Sequence, residues 1–394
     1  VSPVLSGAGV LGNISSGRQA GPYFSFVGAD SQLTYSGDIT NTPGSGTVTA
    51  TDGAFVNRAF LGFVVGANPT VFDSNINGTL IYDGTIDLTG GDITVSGPLS
   101  PSPNVLANAN NWAANSYLLV GQGVAGIFGE VYDFEDDSTS LLTIDHRGVI
   151  DITAGSGQAG LGVAEGIGIS GDYYPELDGH VIVSGTVNIT GADFGSTRGG
   201  TASAGVLLEL SGDGSLDVDG GTITASGSGA AGVQANSYRS NVVVRNGGTV
   251  TANGTEAAGI AIGSFEDFSF VTSSEPEGDF ASSTNMVTIG AGSSVTSAQF
   301  IGIHDESQSL YTFGDEDYAP DLYNQPTYNA TTVDVAGTVT GGNGTAIDLG
   351  SGMDRLILRQ SAVVNGSMLL GSGDDVFVFQ DFTETKAVDG GDDR

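Results

Sequence analysis

Two short phrases near the end of the chain place aspartates beside glycines in a pattern that can bind a cation. They read LGSGMDRLI from Leu349 and LGSGDDVFV from Leu370, and each approaches the calcium-binding repeat G-G-x-G-x-D-x-U-x with Asp354 or Asp375 at the ligand position. A hard cation needs several oxygen atoms gathered from adjacent turns. Since the two aspartates are 21 positions apart, they are expected on neighbouring coils and not in a tandem array. The phrases predict either a calcium site or a turn that only needs glycine and aspartate.

Five insertions follow Phe128, Ile169, Val233, Ile260 and Ile303. All five contain aromatic residues, and four of them are rich in Asp and Glu. Flat rings can stack on sugars or pack against protein, and loop carboxylates can bind calcium. The alternative is that acidic loops keep a long β-structure soluble. The candidate binding residues are Tyr132, Phe134, Tyr173, Tyr174, Phe265, Phe268, Tyr311, Phe313 and Tyr318, and Asp315 and Asp317 are further candidate calcium ligands.

Signals for catalysis by histidine, arginine or a serine nucleophile are weak. The chain contains no G-x-S-x-G motif. His146, His180 and His304 are isolated without metal-ligand spacing, and we expect them to cap turns or face solvent. Arg147 and Arg245 lie at strand ends, where a lone arginine usually pairs with a nearby carboxylate. With only ten Lys and Arg residues, the chain lacks the basic cluster that a lyase of acidic polysaccharides needs.

A hydrolase that uses two carboxylates is harder to exclude, because the chain has 45 Asp and Glu residues. The pair Asp136 and Asp137 and the run 315–317 are the obvious candidates, and adjacent loop acids are more often simply solvated. Trp112 lies in a Pro- and Asn-rich segment, 97–116, where it either anchors the loop or stacks on a sugar.

The elements that must position these residues are short repeated strands. GTITASGSGAAGVQA from Gly221 and GTVTANGTEAAGIAI from Gly248 are near copies, 27 positions apart. Weaker copies recur before and after them, most preceded by a second alternating run such as LLTID or NVVVR. Period-2 runs of Val, Ile and Thr separated by Gly, Asn and Asp predict strands and turns. Units this short bury an apolar face only by stacking, so the repeat predicts an all-β, right-handed parallel β-helix (β-solenoid) whose insertions project from one face.

Composition restricts the partners. The formal net charge is −35, which excludes nucleic acid and anionic lipid as long-range partners. Although 64 of the 394 residues are Gly, a hydrophobic fraction of 39% in alternating positions favours a packed core over disorder. The absence of Cys fits export through an oxidising compartment and is also compatible with the cytosol.

The stretch 344–379 resembles the Gly- and Asp-punctuated strands of autotransporter passenger domains, the exported part of type V secretion proteins. The resemblance covers residues 140–394 well and 1–140 loosely. It implies a β-solenoid displayed on the bacterial surface or released, with a cell-surface receptor, a glycan or neighbouring copies as partner. It also implies membrane contact only through a translocator barrel, which this chain lacks, so a fragment of a longer protein is expected.

We therefore predict irregular capping coils over 1–140 and regular repeats over 141–394. The predicted function is adhesion or formation of a cell-surface structure. A carbohydrate-active β-helix enzyme, either a polysaccharide hydrolase or a lyase, is the alternative.

Overall fold

The computed structural model describes residues 4–6, 9–13, 19–20, 22–26, 30–41, 46–48, 59–67, 76–95, 123–131, 140–156, 161–171, 177–192, 203–210, 212–237, 239–263, 284–305, 330–350, 352–380 and 388–389. Within them the chain is all-β, and no helix is long and apolar enough to cross a membrane. The strands, β1 to β33 in chain order, form two large sheets and one pair. The predicted all-β class is confirmed.

The first large sheet contains one strand from each coil. Its members, in spatial order, are β1 (Val4–Ser6), β5 (Ser31–Tyr35), β9 (Asn77–Tyr82), β13 (Ser140–His146), β16 (Leu177–Val183), β19 (Asp213–Asp219), β22 (Arg239–Arg245), β25 (Thr284–Ile289), β28 (Ala330–Val335), β30 (Arg355–Leu358) and β32 (Val376–Phe379).

The second large sheet holds the second and third strands of the coils. The second strands are β6 (Ile39–Thr40), β10 (Thr85–Thr89), β14 (Val149–Thr153), β17 (Thr186–Thr190), β20 (Thr222–Ser226), β23 (Thr249–Asn253) and β26 (Ser294–Ser297). The third strands are β8 (Ala59–Ala67), β12 (Gly123–Val131), β15 (Ala164–Gly171), β18 (Ala204–Leu210), β21 (Ala231–Ala235), β24 (Ile260–Ile262) and β27 (Ile303–Asp305).

The remaining strands lie at the two ends of the chain or outside the large sheets. β29 (Thr338–Asp348) pairs with both β26 and β27, and β31 (Val363–Leu369) and β33 (Val388–Asp389) follow it. The strands near the amino terminus are β2 (Gly9–Asn13), β3 (Gln19–Ala20) and β4 (Pro22–Phe26), and β7 (Gly46–Val48) pairs with β11 (Ile93–Val95).

Each coil lies on the next in parallel register. Thr222 pairs with Thr249, so the two near-identical phrases of the sequence are stacked copies of one coil, as predicted. Side chains at every second position point inward and form buried columns. One such column has no solvent exposure and consists of Ile86, Ile150, Val187, Ile223, Val250, Val295 and Val339. Since each buried Val or Ile contributes about 1.5–3 kcal/mol, these columns are the main source of stability.

A column of glycines explains the repeated Gly-aliphatic phrase. At Gly126, an added Cβ would lie 2.6 Å from the carbonyl oxygen of Gly166 and 2.9 Å from Ile150 Cγ2. No real Cβ tolerates such contacts, so the chain here approaches the next coil and the second strand too closely for any side chain. The equivalent glycines with the same close contacts are Gly62, Gly166, Gly205, Gly232, Gly259 and Gly302.

Strand pairing differs at the amino-terminal end. β1 pairs with β5, and β2 with β4, in antiparallel orientation, whereas the strand pairs from β13 onward are all parallel within the described residues. The division into capping coils over 1–140 and regular coils over 141–394 stays a prediction, because much of 1–139 lies outside those residues.

The insertions are shorter than the sequence suggested. His304 and Asp305, predicted to begin the last insertion, instead end β27, where Asp305 pairs with Ile262. The insertion after Val233 reduces to a turn between β21 and β22. The predicted boundaries were wrong because polar residues extend the strands at both sides of the insertions. His304 and Asp305 continue a third strand, and residues 239–241 already belong to the next first strand.

Candidate functional site at the insertion corner

Four insertions, 132–139, 172–176, 264–283 and 306–329, leave the solenoid between a third strand and the next first strand. We call this edge the insertion corner. The strands before the insertions stack in parallel from β12 through β15, β18, β21 and β24 to β27. The strands after them stack in the other sheet, from β13 to β28. The bases of all four insertions therefore lie along one edge.

The aromatic candidates lie in these insertions, outside the described residues, and remain predictions. They are Tyr132, Phe134, Tyr173, Tyr174, Phe265, Phe268, Tyr311, Phe313 and Tyr318. Asp315, Asp317, Asp136 and Asp137 also lie in these insertions, and Trp112 lies in the segment 97–116. All five are outside the described residues and remain predictions.

A column of polar side chains, all buried except the half-buried Asp375, runs along the base of the corner. The parallel register places Ser240, Asn285, Thr331, Asp354 and Asp375 at equivalent positions of successive coils. Side-chain oxygens from one coil accept backbone N–H groups of the coil before it. Ser240 N donates to Asn285 Oδ1 (3.1 Å), Thr331 N to Asp354 Oδ1 (2.8 Å), and Asp354 N to Asp375 Oδ1 (2.9 Å). These side chains satisfy backbone donors where the first strands begin.

Asp305 joins this column from the other sheet. Its carboxylate Oδ2 accepts a hydrogen bond from Thr331 Oγ1 at 2.5 Å, and Asp305 is only 4% exposed. The bond connects the residue before the last insertion to the second residue after it. Asp305 occupies a position that is aliphatic in neighbouring coils, namely Ile262 and Leu349. Sequence reasoning missed this contact, because Asp305 was assigned to a loop.

Asp354 is a buried carboxyl group of the corner with a perturbed pKa. It is 1% exposed, and its Oδ2 atom has no hydrogen-bond partner among the described residues. Burial raises the pKa of Asp354 to about 7, a hydrogen bond from Thr331 N opposes this shift, and the charges of Asp305 and Asp375 add to it. The carboxyl group thus changes its charge near neutral pH.

The structure brings Asp354 and Asp375 onto adjacent coils, as predicted. Calcium binding by them stays a prediction. One oxygen of each carboxyl accepts a backbone N–H, and the described residues contain no group of three or more His, Asp or Glu that could hold a metal ion.

His146 is fully buried, so the expectation that it caps a turn or faces solvent is wrong. It continues the inward series of Leu142 and Ile144, and its ring stacks on Tyr82 with centroids 6.1 Å apart. Nε2 lies 3.1 Å from Thr186 O, which can only accept, so Nε2 carries the proton. Burial is the main cause that lowers the pKa of His146. The ring is a neutral part of the core.

The other two histidines are partly buried and lie on the outer side of their strands. Burial lowers the pKa of His180. His304 packs edge-on against Phe300, with centroids 5.6 Å apart, and its Nδ1 lies 3.8 Å from Asp348 Oδ2. His180 and His304 belong to different sheets, and the structure brings neither into a catalytic arrangement with the other.

The prediction that Arg147 and Arg245 pair with carboxylates is confirmed. Arg147 lies 2.5 Å from Asp145, and Arg245 lies 2.5 Å from Asp217. Arg239 and Arg359 form further pairs with Asp213 and Asp334. Because these guanidinium groups already face carboxylates of the chain, they do not form a basic surface for an acidic polysaccharide.

Comparison of the chain with protein-family models, with curated proteins and with solved structures finds no match.

Proposed function

We propose that the chain is a non-catalytic β-solenoid passenger, displayed on or released from a bacterial surface, that mediates attachment through the insertions along the insertion corner. The observation that supports this proposal is the stacking of four insertion bases on one edge. A regular scaffold holds successive loops in a row, and multivalent binding along a row raises avidity without requiring any single strong contact. A cell-surface glycan or protein is the proposed partner.

The local chemistry of the corner favours binding over catalysis. Its buried polar groups act mainly as acceptors for backbone N–H groups. Arg147 and Arg245, at the far ends of the first strands, pair with carboxylates of the chain itself. The contacts with backbone N–H groups give the insertions rigid bases, which lowers the entropic cost of presenting loops to a partner.

The proposal is tested by replacing 306–329 with a short Gly-Ser turn while keeping Asp305 and Thr331. A second variant replaces 264–283 in the same way, and a third variant combines the two replacements. A matched control keeps the length and the acidic residues of the last insertion but changes Tyr311, Phe313 and Tyr318 to Ser. Binding of the full chain and the variants is measured on arrays of neutral and acidic polysaccharides and on cultured epithelial cells, with thermal unfolding in parallel.

We expect each deletion to weaken binding, with little change in Tm. The aromatic control should weaken binding about as much as the deletion if the rings make the contact. Unchanged binding by a variant that lacks both insertions would reject the proposal. It would support the alternative that the insertions only keep the protein soluble. Release of reducing ends from any arrayed polysaccharide would instead support the alternative, a carbohydrate-active β-helix enzyme.

A further inference from the structure

The chain contains five Asn-Gly pairs, at Asn77, Asn246, Asn253, Asn343 and Asn365. The five pairs differ in their hydrogen bonds and in how closely the glycine is packed. An Asn-Gly pair can lose ammonia when the glycine nitrogen attacks the side-chain amide. We infer that Asn343 is the site of this spontaneous modification in the folded protein, through a succinimide to aspartate and isoaspartate.

Asn343 and Gly344 lie in an exposed irregularity within β29. Pairing with β26 ends at Gly341, and the register with β31 shifts between Thr340 and Thr345. Gly342, Asn343 and Gly344 consequently have no register partner in the neighbouring described strands. Gly344 has a φ of +98°, and a Cβ built on it would meet nothing within 4 Å. Gly344 is therefore an exposed residue with open space beside its Cα.

A hydrogen-bond donor already faces the side-chain oxygen of Asn343, the atom that becomes negatively charged during the reaction. Its Oδ1 accepts the backbone N–H of Thr345 at 2.9 Å. As Gly344 N bonds to Cγ, negative charge develops on Oδ1, and a positioned N–H donor stabilises such an oxyanion. The Cγ–Nδ2 bond then breaks, and the nitrogen leaves as ammonia with the proton lost by Gly344. Water opens the succinimide at either carbonyl, and no oxidant or reductant is required.

At three of the other pairs the leaving amide is restrained. Asn77, Asn246 and Asn365 donate from Nδ2 to Asp30, Asp219 and Thr340 respectively. At Asn246 the attacking nitrogen is also engaged, since Gly247 N donates to Ser293 Oγ at 3.2 Å.

At the fourth pair the glycine is closely packed. A Cβ on Gly254 would lie 1.9 Å from Gly227 O, so the backbone beside Asn253 is packed closely against the preceding coil. The irregularity at Asn343, by contrast, has room for the extra backbone atom of isoaspartate. The reaction there places a negative charge beside an open, uncharged groove whose lining includes Thr340, Gly344, Asn365 and Ser367.

The test is incubation of the full chain at neutral pH and physiological temperature, followed by peptide mapping with mass spectrometry and an isoaspartate methyltransferase assay. A parallel sample is kept unfolded in urea. We expect Asn343 to react about tenfold faster than any other Asn-Gly pair in the folded protein, the factor that a modest lowering of the barrier gives. In urea the five rates should converge.

Asn343→Gln serves as the assignment control, since it should remove the modified peptide and leave Tm unchanged. The inference is overturned if another Asn-Gly pair reacts first in the folded protein. It is equally overturned if Asn343 reacts faster than the other pairs by the same factor in urea, because the folded structure would then not be the cause of its higher rate. The outcome does not depend on whether the insertions bind a partner.

Discussion

The hydroxyl of Thr331 donates a hydrogen bond to the carboxylate of Asp305, although the two residues are 26 positions apart in the sequence. The bond joins the two ends of the longest insertion, 306–329. Both residues are buried, so neither group is freely solvated. The insertion therefore begins and ends at a fixed point of the core.

Removing this bond should destabilise the protein. Thr331→Val keeps the shape of the side chain but takes a donor away from a buried carboxylate, and we expect a loss of about 1–3 kcal/mol in the free energy of unfolding. Thr331→Ser retains the hydroxyl and is the matched control. Chemical denaturation measures both. Equal stability of Thr331→Val and the parent would show that the bond contributes nothing.

Asp354 should make the protein less stable as pH rises. The raised pKa means that the folded state holds a proton which the unfolded state has released. The stabilising contribution of Asp354 to the free energy of unfolding is therefore fully present below about pH 4 and is lost as pH rises through about 7. Asp354→Asn keeps an oxygen acceptor for Thr331 N without the charge. We expect the variant to be more stable than the parent at about pH 8, by on the order of 2 kcal/mol, and to lose this advantage at about pH 4.

His146 should act in the opposite direction. Its pKa is lowered, so its contribution is present above the ordinary value of 6.5 and is lost as pH falls and the unfolded state takes up a proton. His146→Phe preserves the stacking on Tyr82 but cannot titrate. Urea unfolding of this variant should show a smaller loss of stability between about pH 7 and about pH 5 than the parent. A loss of the same size in both proteins would contradict the assignment.

The glycine column provides a matched pair of substitutions within β12. In Gly126→Ala the new methyl group meets Gly166 O and Ile150 Cγ2 at distances that no Cβ tolerates, and we expect a cost of about 1–3 kcal/mol or more. In Gly123→Ala the nearest atom is Val163 O at 3.5 Å, an ordinary contact. The second variant should remain close to the parent in Tm. Similar Tm values for the two variants would argue against close approach as the reason for glycine.

Calcium binding by Asp354 and Asp375 has a direct test. A ligand that binds only the folded state raises Tm by mass action, so calcium should raise Tm relative to a sample with chelator. The increase should disappear in Asp375→Asn and should be smaller with magnesium. No change in Tm at saturating calcium would assign the two aspartates to turn and backbone contacts alone.

The strands could be predicted from sequence because their alternation is local. The stacked strands of the first sheet contain the alternating runs LLTID, HVIVS, SLDVD, NVVVR, MVTIG and TVDVA, three of which extend one residue past the strand end. The same alternation places His146 inward, after Leu142 and Ile144. Extending the alternating pattern to the last residue of β13 would therefore have predicted that His146 is buried. The expectation of exposure rested on residue type and not on position.

The contact between Asp305 and Thr331 could not be predicted in this way. Equivalent positions of neighbouring coils are separated by 45, 23 and 21 residues at Ser240–Asn285, Thr331–Asp354 and Asp354–Asp375, because an insertion lengthens some coils and not others. Asp305 and Thr331, 26 residues apart, are not equivalent positions but the two ends of one insertion. A fixed period therefore does not identify which side chains meet. The acidic character of the segment after Ile303 also hid the fact that its first carboxylate faces the core.

Because the insertions begin and end at fixed positions of the insertion corner, they and the strands beneath them can evolve at different rates. A segment that starts and ends at adjacent fixed points can lengthen, shorten or be exchanged without moving any strand, since loop closure costs rise only slowly with length. Lineages can thus vary what is presented at that edge while the columns beneath it stay under constant selection for packing. Diversity among related chains is expected to concentrate between β27 and β28 and between β24 and β25, and the strands on either side should change far less.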